Sequence, residues 1–401
     1  MRYIFLLLCI TTGFANSFAQ TKSLSGDAEI SVLTIGPGEY LYDKFGHSAI
    51  RVQDKVTNLD IVFNYGTYDF NTPNFYTKFA RGKLLYTLSV SNFTDFFYHY
   101  QSEDRWITEQ VLNLSIAQKQ DIYKLLIENA KPENREYLYD FTHDNCATKI
   151  RDILSLALGD NIEYNTELEN PKSFRQLIGE NINSNTWGSL GINIALGAPI
   201  DRNASKLEEQ FLPYYVMEAD SEAKIKTSAG EWIPLVKKTI NLYEQKEEKK
   251  ATGFFLTSPW VIFTIIGLGL IIISFKDIIR KKRTKLVDIS IFITTGIIGV
   301  VIALLWFATD HQTTKFNYNI LWAFPISLLF IRAISKETYH KRLVHYLNLL
   351  SILIVLLFFH WITGVQKYPH PILPLLIGLL IRYRYLTTYY KNTLRNNQLN
   401  S

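Results

Sequence analysis

Residues 139–151, YDFTHDNCATKIR, place a cysteine between an acidic, amide-rich turn and the start of a predicted helix. The apolar residues that follow recur at helical spacing as far as Gly159, which would end the helix. Asp144 or Asn145 would cap its N-terminus through a side-chain oxygen. Because the positive end of a helix dipole favours a thiolate, this position would lower the pKa of Cys146. A free cysteine can equally be a small buried hydrophobe, so the segment alone leaves both interpretations open.

Residues 1–19 have the features of a secretory signal peptide. Arg2 supplies the positive charge, residues 4–10 form an apolar run, and small residues at positions 17 and 19 fit a cleavage site. Cys9 lies in the apolar run, so cleavage would leave Cys146 as the single cysteine of the exported chain. A single thiol cannot form an internal disulfide, and Cys146 is therefore either inert or reactive.

From about residue 252 the chain changes from polar sequence to five apolar stretches. A membrane-spanning helix needs roughly 20 apolar residues, and the first, second and fourth stretches are long enough. The third and the fifth are shorter and contain prolines, so they could be tilted, broken or partly re-entrant. We therefore predict an all-α, five-helix transmembrane domain. The five stretches are 254–275, 286–307, 320–334, 343–363 and 371–381.

The loops between these stretches orient the predicted spans. Loops 276–285 and 332–342 are basic, whereas the loops that alternate with them are nearly neutral, as the positive-inside rule requires. This pattern predicts a multi-pass protein of the bacterial inner membrane, and the net charge of +5 then reports membrane orientation. No basic-aromatic signature suggests a nucleic-acid partner. The predicted divisions are a signal peptide at 1–19, a periplasmic domain at 20–240, a linker at 241–253, a transmembrane domain at 254–386 and a cytoplasmic tail at 387–401.

The exported half contains both strand and helix patterns. Residues 28–36 alternate apolar and polar positions, and 48–52 with 59–70 form a predicted hairpin around a turn at 55–58. These patterns predict an α+β domain with an antiparallel sheet and a helix that carries Cys146. The remaining predictions are strands at 83–91 and 105–114, helices at 93–101 and 116–130, and mostly helix at 173–240, broken at 196–202 and with a possible hairpin around Ala229-Gly230.

Three histidines are candidate partners for Cys146. His47 follows Gly46 and begins a predicted strand, where a glycine lets another backbone or a ligand approach closely. His99 lies in an aromatic helix and fits a packing role, and His143 lies on the turn before the Cys146 helix and could shape the site. We favour His47, although each of the three also fits a purely structural role.

The remaining parts of such a site have several candidates. In the predicted hairpin, His47 faces residues 64–68, so Asn64 could accept the Nδ1–H of the imidazole and orient it, with Asp69 as the alternative. Backbone N–H groups at the helix start would hold an oxyanion. Tyr139, Asp144 or Asn145 could assist them, and the sequence does not choose among the three.

Substrate-binding candidates lie in both halves of the chain. Arg51 and Arg81, with Lys83 and Arg202, could bind a phospholipid phosphate, and each also fits a solvated surface. Asp310 and His311, at the outer end of the second and third apolar stretches, could dock a substrate, and ordinary loop polarity competes equally. The sequence predicts no metal and no cofactor. Aromatic residues that are mostly core, with some able to line an acyl-chain groove, are Tyr65, Tyr68, Phe75, Tyr76, Phe79, Phe93, Phe96 and Phe97.

The two main candidates occur in longer motifs. FGHSAIRV, followed by a strand and later by DNCATKIRDIL, resembles the circularly permuted NlpC-type and lecithin:retinol acyltransferase-like cysteine enzymes. With VFNYGTYDF, FARGKLLYTL, LGAPIDR, EEQFLPYY, TDHQTTKFNYNILWAFP and the five apolar stretches, the chain resembles the Lnb family of lipoprotein N-acyltransferases from Bacteroides-type bacteria. This resemblance covers nearly the whole mature chain and implies a permuted papain-like fold for the exported domain.

The residues point to covalent catalysis at a carbonyl, in which His47 activates Cys146. The resemblance implies the substrates: a phospholipid would donate an acyl chain to Cys146, and the α-amine of a diacylglyceryl-cysteine lipoprotein would accept it. Two other functions fit the residues. One is a periplasmic cysteine peptidase or amidase acting on cell-wall peptides, and the other is a non-catalytic membrane scaffold.

Overall fold

The structure is a computed structural model that describes residues 23–246, 255–338 and 340–399, with side chains described as far as residue 393. The predicted signal peptide at 1–19 lies outside the described residues, as does most of the predicted linker. The described chain forms a domain of mixed strands and helices, followed by a helical domain.

A seven-stranded antiparallel sheet organises the first domain, with the spatial order β10-β5-β1-β2-β3-β4-β6. Three short strands form a second sheet in the order β7-β8-β9. The strands are β1 Glu29–Ile35, β2 His47–Asp54, β3 Leu59–Thr67, β4 Leu85–Asn92, β5 Ile107–Leu112, β6 Glu136–Leu138, β7 Ile162–Glu163, β8 Lys224–Lys226, β9 Trp232–Pro234 and β10 Val236–Tyr243.

Helices cover both faces of the large sheet, so its central strands are buried on both sides. Ile50 and Phe63 pack with α3 and α4 on one face, and Ala49 and Val62 pack with α2 on the other. This packing explains why β1 and β2 are almost continuously buried along their length. The helices of this domain are α1 Phe75–Ala80, α2 Phe93–Ser102, α3 Ile116–Asn129, α4 Cys146–Leu158, α5 Phe174–Glu180, α6 Trp187–Ala195, α7 Lys206–Glu209 and α8 Pro213–Glu222.

The hairpin predicted around Ala229-Gly230 is confirmed, because β8 and β9 pair across it, but the prediction of mostly helix at 173–240 is otherwise wrong from residue 224 onward. There the chain forms β8, β9 and β10, and β10 pairs with β5, a strand more than a hundred residues earlier. A local pattern cannot show such a partner, because strand formation depends on cross-strand contacts. β10 continues past the predicted domain end at 240, as far as Tyr243, whose hydroxyl donates to Asp104 Oδ1 at 2.7 Å.

Three helices of the second domain are long and apolar enough to cross a membrane: α9 Pro259–Arg280, α10 Lys285–Phe307 and α12 Lys341–Thr363. The third predicted span is instead broken at Pro325 into two 3₁₀ segments and the short helix α11 Ile331–Ile334. The fifth begins in a 3₁₀ turn at His370–Ile372 and continues into α13 Leu373–Leu399, which extends well beyond the apolar stretch. The described chain thus has a helical domain with three clear spans, and the count of five stays a prediction.

A buried ionic cluster joins α9, α10 and α13. Arg382 lies between Asp277, at 2.8 Å from Nη1, and Asp288, at 2.7 Å from Nε. Arg283 adds a second cation at 3.2 Å from Asp288 and donates to the carbonyl of Ile334. Because two cations and two carboxylates balance one another, this part of the membrane domain holds charged groups without a net buried charge.

Replacing one partner of this cluster should destabilise the membrane domain. Arg382→Met leaves two buried carboxylates with one cation, which should cost about 3–5 kcal/mol of folding free energy. Arg384→Met is the matched control, because Arg384 is exposed on the same helix. Thermal unfolding in detergent should show a clearly lower transition for Arg382→Met alone, and equal transitions for the two variants would contradict this role of the cluster.

Candidate active site

The site is built where β2 begins, and Gly46 allows the chain to enter that strand. Gly46 has φ +79°, and a Cβ there would lie 2.7 Å from the carbonyl oxygen of Ile35 on β1. Only glycine combines this left-handed conformation with so close an approach. The next residue, His47, is thereby held at the first position of β2, opposite Ile35.

His47 is oriented by Asn64 on the neighbouring strand. Its Nε2 lies 2.6 Å from Asn64 Oδ1. Since the amide oxygen can only accept, Nε2 carries the proton and Nδ1 is left as the acceptor. The prediction that Asn64 binds Nδ1 is therefore wrong about the ring nitrogen. On the other side, Tyr100 of α2 stacks against the imidazole with ring centroids 5.9 Å apart.

Cys146 is the first residue of α4, and Asn145 caps that helix with its whole side chain. Asn145 Oδ1 accepts from the backbone N–H of Ala147 at 2.8 Å and of Thr148 at 2.9 Å. Its amide nitrogen donates to the carbonyls of Phe141 and Phe211. Asn145 therefore fixes the helix start and has no donor left for an oxyanion.

Cys146 and His47 form a coupled pair. Burial by itself raises the pKa of the Cys146 thiol, but the charge of His47, its hydrogen bond and the backbone N–H groups of Ser48 and Ala147 bring that pKa below its usual value. Burial likewise lowers the pKa of His47, but the Cys146 thiolate and the hydrogen bonds to Cys146 and Asn64 raise it. Both directions favour a thiolate–imidazolium pair. Cys146 remains partly exposed, so a substrate can reach it.

Gly66 is a site residue that sequence reasoning missed. It lies in an irregular step of β3 between Asn64 and Thr67, with φ +89°. A Cβ at Gly66 would lie 3.4 Å from Cys146 Cβ and 3.8 Å from His47 Cε1. A glycine inside a strand pattern is the signal that could have found it, because such a glycine often marks a close approach.

Aromatic rings lie near the thiol, because the Cys146 charge raises the pKa of Tyr137 and Tyr139. Tyr139 stacks on Tyr86 with ring centroids 4.2 Å apart, and Tyr86 contacts Tyr68 at 5.2 Å. Burial and then the nearby Cys146 thiolate raise the pKa of Tyr139 well above its usual value, so its phenol stays protonated. Tyr137, which sequence reasoning did not single out, is raised in pKa by the same two causes.

The other predicted members of the site lie elsewhere. Asp69 accepts from the backbone and side-chain N–H groups of Asn71 in a turn, and Asp144 pairs with Lys149 at 2.6 Å. His143 contacts Asp140 at 3.2 Å. Their partners account for each of them structurally, so Asp69 does not orient His47 and Asp144 is not directed at the thiol. For the oxyanion, two candidate donors remain: the N–H of Cys146, because the first N–H groups of a helix have no partner within it, and the protonated phenol of Tyr139.

The prediction that Arg51 could bind a phospholipid phosphate is wrong. Its side chain is buried in the sheet, where it binds Asp60 at 2.7 Å and Glu109 at 3.1 Å and lies over the ring of Phe93. Arg202 is paired with Glu208. Arg51 and Arg202 are therefore both used in ion pairs within the periplasmic domain.

Asp310 and His311 connect the two domains. The backbone N–H of Asp310 donates to the carbonyl of Arg81 at 3.0 Å, and His311 Nε2 lies 3.0 Å from the carbonyl oxygen of Phe79. Lys83 lies 3.6 Å from the Asp310 carboxylate. The loop after α10 thus contacts the chain between α1 and β4, close to the strand that carries Asn64.

The fold and the site together define a membrane protein whose extramembrane domain holds a cysteine–histidine–asparagine constellation. Two family models match this chain: the Lnb N-terminal periplasmic domain at residues 16–180 and the Lnb transmembrane domain at residues 248–393. The chain therefore belongs to the Lnb family, which confirms the resemblance seen in the sequence. Its first domain is periplasmic, and the family indicates an enzyme role in lipoprotein processing. Comparison with curated proteins and with solved structures gives no match.

The coupled pair predicts how alkylation of Cys146 depends on pH. Because the pKa of the thiol is lowered, its iodoacetamide rate should rise through an inflection below about 8.5, the value of a free cysteine. His47→Ala removes the two largest lowering causes and leaves burial and the backbone N–H groups of Ser48 and Ala147, so the inflection should move upward. Asn64→Ala should move it the same way by less. Mass spectrometry of the alkylated peptide measures the rates, and an unchanged profile in His47→Ala would exclude the pair.

Gly66→Ala should disturb the same profile. The added methyl meets Cys146, and the left-handed conformation is strained for alanine by roughly 1–2 kcal/mol. Gly230→Ala is the matched control, since Gly230 has φ +87° and open space around it. Both variants should lose similar thermal stability, but only Gly66→Ala should change the alkylation profile. An identical profile in the two variants would show that Gly66 does not control the approach of the thiol to His47.

Proposed function

We propose that this protein is a lipoprotein N-acyltransferase of the bacterial inner membrane. It moves a fatty acyl chain from a membrane phospholipid, through a thioester on Cys146, to the α-amine of a diacylglyceryl-cysteine lipoprotein. The observation that carries this proposal is the Cys146–His47–Asn64 geometry, with Nε2 of His47 bound to Asn64 and the lowered pKa of the thiol. The order of these residues along the chain supports a permuted papain-like arrangement of the domain.

In the first half-reaction, His47 Nδ1 takes the proton of the Cys146 thiol, and the sulfur attacks the ester carbonyl of the phospholipid. The N–H of Cys146 holds the oxyanion of the tetrahedral intermediate. When the intermediate collapses, the carbon–oxygen bond breaks and the imidazolium returns its proton to the leaving oxygen. The products are a lysophospholipid and a Cys146 thioester.

In the second half-reaction, the neutral α-amine of the lipoprotein attacks the thioester, and His47 takes a proton from the amine. The carbon–sulfur bond breaks, the thiolate is regenerated as a pair with imidazolium, and an amide is formed. A neutral amine is a much better nucleophile toward a thioester than water is, so acyl transfer needs little exclusion of water. Both substrates lie in a membrane, which fits a site that contacts the membrane domain through Asp310 and His311.

The proposed mechanism needs a particular membrane topology. Five spans, with the third and fifth formed by the broken segment and by α13, place the C-terminus in the cytoplasm and the acyl donor and acceptor beside the periplasmic domain. The basic loops 276–285 and 332–342 support this orientation.

The test is complementation of a strain that lacks lipoprotein N-acylation, with mass spectrometry of the N-terminal lipopeptide. The wild-type chain should restore the third acyl chain, and Cys146→Ala should abolish it. His47→Ala should lower the rate by at least about a hundredfold. His99→Ala is the matched control, because His99 is exposed on α2 and pairs with Glu103.

An alkyne-tagged phospholipid tests the intermediate in the purified full-length protein. Wild type should carry a label on Cys146 that neutral hydroxylamine removes. N-acylated lipoproteins from cells with Cys146→Ala would refute the mechanism. Peptide release from cell-wall fragments by wild type, without lipid labelling, would favour the amidase instead. If the protein kept its full function after alkylation of the Cys146 thiol, the non-catalytic scaffold would be favoured.

A further inference from the structure

The candidate active site lies at one end of the large sheet. His47 begins β2 and Thr67 ends β3, so the loop 36–46 and the segment 68–84 leave the sheet at the same end. The turn 55–58 lies at the other end of these strands. With eight residues in β2 and about 3.3 Å per residue, the two ends are roughly 25 Å apart.

That end of the sheet faces the membrane domain. The segment 68–84 contacts the loop after α10 through the hydrogen bonds of Phe79 and Arg81 described above. The loop 36–46 packs on α6, since a Cβ at Gly188 would lie 3.1 Å from the side chain of Leu41. Trp187, next to Gly188, donates to the carbonyl of Thr257 at 2.9 Å, just before α9 begins. The start of α9 and the end of α10 lie on the same side of the membrane because the two helices form a hairpin.

Exposed aromatic side chains are concentrated on these two segments. Tyr76 is 78% exposed, an unusual value for an aromatic residue beside so many others. Tyrosine and other aromatic rings are enriched where a membrane meets water, and a clustered exposed apolar patch marks a binding surface. Lys78 and Arg81 lie on the same segment, where their charged ends can reach lipid phosphates. We define the aromatic rim as Tyr40, Tyr42, Phe70, Tyr76 and Phe79.

The aromatic rim is connected to the site by ring contacts. Phe79 stacks on Phe75, and Phe75 lies 5.8 Å from Tyr68. Tyr68 contacts Tyr86, which stacks on Tyr139 beside Cys146. Ring contacts are therefore continuous from the rim to Tyr139, whose pKa the Cys146 thiolate raises.

We propose that the aromatic rim inserts into the periplasmic leaflet of the membrane, so that a phospholipid acyl chain reaches Cys146 along these rings without crossing water. The partner is a phospholipid surface, because the rim continues the surface of a membrane domain and carries cations suited to phosphate. The acyl path rests on the proposed function, whereas insertion of the rim does not.

Insertion is tested with a fluorophore on the rim. In the full-length chain with Cys9→Ala and Cys146→Ser, Tyr76→Cys is labelled with a nitrobenzoxadiazole probe and reconstituted in phosphatidylethanolamine–phosphatidylglycerol vesicles. Val56→Cys is the matched control, because Val56 is 67% exposed in the turn at the far end of the sheet. At position 76 the emission should be blue-shifted and quenched by lipids with a shallow nitroxide, and at position 56 only aqueous iodide should quench.

Quenching by iodide alone at position 76 would overturn insertion. Protection from both iodide and lipid nitroxides would also overturn it, because a protein would then cover the rim. These readouts need no catalysis, since Cys146 is replaced.

The acyl path is tested with Cys146 intact. Phe70→Ser with Tyr76→Ser should slow labelling of Cys146 by vesicle phospholipid by about tenfold or more, and leave labelling by a soluble butyryl ester unchanged. Val56→Ser should change neither. Equal labelling from vesicles in the rim variant would overturn the path. If the rim is inserted but the wild-type chain forms no acyl-enzyme, the proposed function is refuted. Insertion of the rim is supported in that case.

Discussion

The geometry of the site depends on the hydrogen bonds of the Asn145 side chain. Its oxygen accepts from two N–H groups of α4, and its nitrogen donates to the carbonyls of Phe141 and Phe211, which are separated by 70 positions in the chain. This one buried amide therefore joins the turn before the helix, the helix itself and the segment before α8. Cys146 follows Asn145 directly, so the direction of its thiol depends on these four hydrogen bonds more than on any contact of the sulfur. A buried amide with every group paired is rigid, which suits a nucleophile that must face one nitrogen of one histidine.

Two glycines bring the opposite partner within reach of that thiol. Gly46 turns the chain into β2 next to the carbonyl of Ile35, and Gly66 removes the side chain that would separate β3 from Cys146. The imidazole of His47 thus lies between the amide of Asn64, on the same sheet, and the sulfur of Cys146, on α4. Both glycines have a positive φ that L side chains rarely adopt, so an ordinary residue at either position would strain the strand that carries His47 or Asn64.

The parts of the site that sequence could predict are those with local signals. Asn145 before an apolar helical pattern predicts a capped helix at Cys146, and Gly46 before a strand points to His47. The predicted hairpin of β2 and β3 placed Asn64 among the residues that face His47. The rest depends on contacts between distant segments, and no local pattern shows that Arg51 pairs inside the sheet with Glu109, 58 positions later in the chain. For the same reason β10 was missed, since its partner β5 lies far away in the chain. Which imidazole nitrogen of His47 binds Asn64 depends on the orientation of the ring, and no sequence pattern predicts that orientation.

The membrane domain does more than tether the periplasmic one, because polar groups between the two are matched in detail. The last carbonyls of a helix lack partners within it, and those of α6 at Ile194 and Ala195 accept from Asn317 Nδ2 at 2.7 Å and 3.0 Å. Gly197 follows, and a Cβ there would lie 1.9 Å from the carbonyl oxygen of Lys315, so only glycine lets the two chains meet. The same loop binds the segment after α1 through His311. Two separate segments around the site are thus fixed to one loop of the membrane domain. A domain held at two points cannot turn about its linker, so the distance of Cys146 from the membrane surface is set by the fold rather than by diffusion of the domain.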